Sequence, residues 1–211
     1  MIARPGPLAG VAWLGLVVAA CGGRAPGGAP LANHTAAPSA GVRAIDWRNR
    51  SYSIEGIGEV AVVDGRADFA LDDDGKLATG KSGDPISGQT SAAFSVDRPV
   101  FADVDGDGVE DAVLTCVLGT GGTGQFSAVR IFTLRGGGQV VELGEIPGGD
   151  RGDGGIRRVA ADGGAIVVER NVLAEGDGAC CASTWRRERW IWRDGAPVED
   201  VAARGGLQPV P

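Results

Sequence analysis

Histidine is nearly missing from this chain of 211 residues: one is present, His34, and it lies before the region that carries strand patterning. A Ser-His-Asp triad or an HExxH zinc site therefore has no imidazole to work with in that region. The apolar run at residues 8–20 falls short of the roughly 20 residues that a helix needs to cross the hydrocarbon core. No window sustains a 3.6-residue apolar period, so amphipathic helices are not expected to build the fold. A basic excess is missing too. Lys and Arg number 20 against 27 Asp and Glu, a formal charge of −7. Phosphate-backbone binding depends on Lys and Arg, so no nucleic-acid partner is expected.

What is present begins with an export signal. A single charge, Arg4, precedes the apolar run, which has the roughly 7–15-residue dimension of a signal-peptide core. The run ends in Val18, Ala19, Ala20, Cys21 and Gly22, which resembles the lipobox of bacterial lipoproteins. There the cysteine is lipidated and becomes the mature N-terminus. The expected organisation is a signal peptide at 1–20, then lipidated Cys21 opening a flexible Gly/Pro/Ala linker that runs to residue 42. A single β-rich domain at 43–205 and a tail at 206–211 complete it. The linker has one large apolar residue, Leu31, and cannot bury enough surface to offset the entropy of ordering. Such a protein sits outside the cytoplasm and touches the membrane through its lipid. Loss of Arg4 makes the mature chain one unit more negative, which favours solubility and is compatible with cation binding.

Strand patterns occupy residues 50–54, 59–63, 96–104, 111–118, 128–134, 140–143, 156–160, 165–170 and 185–192. Turn signals separate them: Asp64-Gly65, Gly136 to Gly138, Asp162-Gly163 and Asp194-Gly195. One weak helical piece is expected near residues 91–95. The pattern predicts an all-β antiparallel meander with little helix beyond the signal peptide. Its closure is left open among a sandwich, an open barrel and a propeller-like sheet. Cys116, Cys180 and Cys181 remain for an oxidising compartment. Either Cys116 bonds one of the adjacent pair, or Cys180 and Cys181 bond each other and leave Cys116 buried.

The segment FADVDGDGVEDAV carries the most specific chemistry. Counting Asp103 as position one, Asp105, Asp107 and Asp111 fall at three, five and nine, with Gly108 at six. The carbonyl of Val109 would serve at seven. This is the oxygen-ligand spacing of a calcium loop. Position twelve is Leu114 rather than a bidentate Glu, and both flanks read as strands, so an EF-hand is rejected. The loop resembles the strand–loop–strand calcium motifs of FG-GAP and VCBS-type repeats, and the resemblance implies a structural calcium ion. The second acidic turn, Asp72, Asp73, Asp74 and Gly75, lacks the alternation and reads as solvated.

Two nucleotide-binding patterns match in letters alone. Residues 75–82 spell a Walker A loop, but three aspartates precede it and Gly83, Pro85 and Gly88 would break the helix that must follow. Residues 119–124 spell a dinucleotide fingerprint, but the following QFSAVRIFTL alternates as a strand. No nucleotide is expected. Near the end, Trp190 and Trp192 share a strand face behind Trp185. Such a group caps a core or offers stacking platforms to a sugar.

Three segments together, IDWRNRSYSI, FADVDGDGVEDAVL and GDGACCASTW before RWIWRDG, resemble secreted actinobacterial lipoproteins of the LppP/LprE type. Ala182 stands where that pattern has proline, and an early cysteine expected near residues 53–58 is missing. The resemblance implies a location and an architecture and carries no activity. The expectation is a non-catalytic envelope lipoprotein whose partner is an unknown envelope protein or glycan. A carbohydrate- or cell-wall-binding module using the tryptophans is the alternative, and a hydrolase built on acidic residues a third.

Overall fold

The computed structural model describes residues 41–78, 90–178 and 180–211. Cys21, the expected export signal, His34 and half of the Walker-like segment lie outside the described residues. Thirteen strands are described: β1 (Ser51–Ile54), β2 (Gly58–Ala61), β3 (Arg66–Leu71), β4 (Thr90–Val96), β5 (Val100–Ala102), β6 (Asp111–Gly119), β7 (Gln125–Arg135), β8 (Gln139–Asp150), β9 (Ile156–Asp162), β10 (Ala165–Val172), β11 (Thr184–Arg193), β12 (Ala196–Glu199) and β13 (Gln208–Pro209). Short 3-10 turns at Val42–Ala44, Arg151–Asp153 and Val201–Ala203 are the helical content of the described residues. The chain is all-β, and every described strand pairing is antiparallel.

Three sheets form, none of them closed into a barrel. The central one has the order β3-β4-β6-β7-β8, with β5 also on β6. The second runs β12-β11-β10-β9, with β13 on β11, and β1-β2 is a separate hairpin. The expected closure is thereby narrowed to a sandwich. Strand β6 explains the layering. Its even residues Ala112, Leu114 and Cys116 enter a core with Trp47, Tyr52 and Phe132, beneath the hairpin. Its odd residue Val113 enters a second core with Ile131, Ile146 and Ile166, beneath the five-stranded sheet. A strand buried on both faces reads as a near-continuous apolar run, which is why AVLTCVL was legible.

Some expectations need correction. The segment 91–95 is strand, not helix: Ala92, Phe94 and Val96 are buried at every second position of β4. The single strand expected at 96–104 is two, β4 and β5, both lying along β6. Pro99 falls in the gap and has no N–H to give to a ladder. Strand β3 was missed, and β7 and β8 run longer than expected. Asp64 and Gly65 both have positive φ, as do Asp194 and Gly195, the conformation a two-residue hairpin turn demands. The residues expected as a tail contribute β13, paired through Gln208 to Trp185.

Candidate metal site

The β5–β6 connection is folded by its own carboxylates. Asp103 accepts from the N–H of Gly106 at 2.9 Å through Oδ1 and from that of Gly108 at 3.0 Å through Oδ2. Both glycines have positive φ, which lets the backbone wrap this tightly. Asp105 accepts from the Asp107 N–H at 3.2 Å. Asp111, the first residue of β6, is fully buried, and its Oδ2 accepts from the Val104 N–H at 2.8 Å.

These turns bring one carboxylate oxygen each from Asp103, Asp105 and Asp111 within 4.8 Å of one another. Ligands on opposite sides of a calcium ion stand about 4.6–5.2 Å apart, given Ca–O distances of about 2.3–2.6 Å. The trio could hold a metal ion. Asp107, expected as a fourth carboxylate, is not part of it: it is exposed, and its Oδ1 accepts from the Val109 N–H at 2.8 Å. Val109, expected to offer its carbonyl, turns its side chain to solvent, 45% exposed.

Burial is the main force raising the Asp111 carboxyl above its ordinary acidity range, and the charge of Asp105 adds to it. The Val104 N–H, the nearby Thr133 hydroxyl and the Asp105 N–H oppose the rise. Yet Thr133 Oγ1 falls outside hydrogen-bonding geometry, and both it and Asp111 Oδ1 are buried without a hydrogen-bond partner. A buried, unpaired carboxylate oxygen is costly, and a cation in the trio would relieve it. Arg135, at the end of β7, donates from Nη2 to Asp105 Oδ2 at 3.0 Å and supplies the positive charge at the site. Neither Thr133 nor Arg135 carries a local sequence signal. They arrive by sheet pairing, from more than twenty residues away.

No family model, curated protein or solved structure matches the chain. The site is therefore read from its own chemistry.

The remaining candidate residues lie elsewhere. Cys116 is buried beneath the hairpin, and burial pushes its thiol up to about 12. Cys180 and Cys181 are exposed beside Val117, an odd residue of β6 and so on the opposite face from Cys116. The expected pairing of Cys116 with either of them is not formed for that reason. The other pairing is not formed either: Cys180 and Cys181 are free, adjacent thiols. Trp190 and Trp192 pack half-buried against the second core. Trp190 Nε1 donates to the buried Glu188 at 3.3 Å. Trp185 Nε1 donates to the Pro209 carbonyl at 3.1 Å, and the Arg157 guanidinium lies 5.6 Å from its ring centre. Trp192 also lines an open groove of about 690 Å³ together with Asp103 and Asp105.

Proposed function

We propose that this protein is a non-catalytic envelope lipoprotein. It is held outside the cytoplasm by a lipid on Cys21, and its β5–β6 loop binds calcium as a structural staple. The anchor rests on the pattern of residues 1–22, and the envelope location also on the likeness to LppP/LprE-type lipoproteins. One observation carries the metal reading: Asp111 Oδ1 is buried and unpartnered beside two further carboxylates. Calcium suits the site better than magnesium because it accepts carboxylate oxygens in variable number and geometry, whereas magnesium demands a near-ideal octahedron and keeps several of its waters. Extracellular modules of this kind bind at about 10⁻⁴–10⁻³ M. At tenfold excess the metal then adds about 1.4 kcal/mol to stability, a staple-sized effect. Thermal melts of the purified protein in EDTA and in calcium test this. A rise of about 3–6 °C with calcium is expected for a domain of this size, and superimposable melts would refute the metal reading.

A second reading follows from the groove shared by Trp192 and the acidic loop. There a glycan could stack on the indole while its hydroxyls reach the bound cation. Calcium-dependent retention on a glycan array, lost in Trp192→Ala, would favour that role; retention unchanged by EDTA would count against it.

A further inference from the structure

The central sheet is covered unequally on its two faces. The five-stranded sheet backs one face. Residues 42–47 and the β1–β2 hairpin cover the other, over Ala112, Leu114 and Phe132. The same apolar face runs on past that cover, through Leu118 of β6 to Phe126 of β7, which is 46% exposed. A cavity of about 580 Å³ remains there, walled by Ile54, Phe94, Cys116, Leu118 and Phe126. That volume lies within the range of about 300–1,000 Å³ typical of small-molecule sites.

The polar wall of the cavity is one-sided in charge. Arg130 is its one cation among the described residues, and it is already committed. It donates to both carboxylate oxygens of Glu142, with Nε at 2.7 Å from Oε1. Its guanidinium also lies 5.2 Å from the Phe132 ring centre and 5.9 Å from that of Tyr52. Glu145 stands directly opposite Arg130 in the β7–β8 register. Glu145 and Glu55, both exposed to solvent at the rim of the cavity, have no side-chain hydrogen bond or ion pair among the described residues. Burial pushes the Glu145 carboxyl up; Arg130 opposes this, while Glu142 and Glu55 reinforce it. An apolar hollow is thus joined to two uncompensated carboxylates.

We propose that this cavity binds a small amphiphilic cation, an ammonium group carried on a short apolar body. The body would lie against Leu118, Phe94 and Phe126, and the ammonium would sit at Glu145 and Glu55. An anionic amphiphile would meet two like charges, and a neutral one would leave the carboxylates unmatched. The site is separate from the acidic loop and does not depend on calcium.

The test is a titration of octyltrimethylammonium into the intact protein in EDTA, followed by amide NMR. Octyl sulfate and octyl glucoside serve as comparisons. Saturable shifts at Leu118, Phe126 and Ala128 are expected with the ammonium compound alone. Glu145→Gln, which keeps the side chain's shape, should weaken binding about threefold to fivefold, and Leu118→Trp should fill the hollow and abolish it. Each variant is first matched to the parent by its thermal melt. Absence of saturable shifts, equal binding of either comparison compound, or undiminished binding by Glu145→Gln would overturn the proposal.

Discussion

The turn at residues 72–75 and the loop at 103–111 both string aspartates ahead of a glycine, yet they spend their charges differently. In the first, Asp72 Oδ1 accepts from the N–H groups of Asp74 at 3.0 Å and Lys76 at 2.9 Å, while Asp73 and Asp74 stay exposed. Three consecutive side chains cannot converge on a point, so water solvates them. In the second, Asp103, Asp105 and Asp111 converge, and the last of them opens a strand buried on both faces. The number of acids is not what separates the two. The buried position of Asp111 does that, because it leaves a carboxylate oxygen that water cannot reach.

Substitutions that break this difference should rank by burial. Asp111→Ala comes first: it strips the Val104 N–H of its acceptor and should cost about 1–3 kcal/mol even in EDTA, read as a fall in the denaturation midpoint. Asp111→Asn sharpens the point. It keeps an acceptor for Val104, so its melt in EDTA should stay close to the parent, but the rise with calcium, about 1.4 kcal/mol at tenfold excess, should vanish. Arg135→Gln should act in the opposite direction. Removing the guanidinium that competes for Asp105 should tighten calcium binding by about threefold to fivefold, the worth of a part-exposed ion pair, measured by isothermal titration. Asp72→Ala should be the mildest, costing less than about 1 kcal/mol and leaving the calcium response intact. A calcium response that Asp72→Ala removed, or that Asp111→Asn kept, would erase the distinction between the two turns.

Much of this was legible in the chain, for identifiable reasons. Strands β6 and β7 showed themselves because burial on both faces leaves a long apolar run. The trio of Asp103, Asp105 and Asp111 followed from alternation within nine residues. Asp107 fits the same spacing and failed, because its carboxylate caps the Val109 N–H and remains in water. Strand β4 was obscured by its small residues: TSAAFSV alternates in burial but offers one β-branched residue and one aromatic on its inward face. Arg135, Thr133 and the cavity beside Glu145 had no local signature at all. Each exists because β7 pairs with β6 or β8, and register is decided by the assembled sheet rather than by neighbours in sequence.

The comparison is tested most directly by calcium titration watched at single amides. Gly106 and Gly108 donate to Asp103, and Val104 donates to Asp111, so their resonances report the acidic loop. Those of Asp74 and Lys76 report the other turn. A cation seated among Asp103, Asp105 and Asp111 should move the first three along one saturating curve, with a dissociation constant of about 10⁻⁴–10⁻³ M, and leave the last two in place. Shifts that grow without saturation, or that appear equally at both turns, would contradict it.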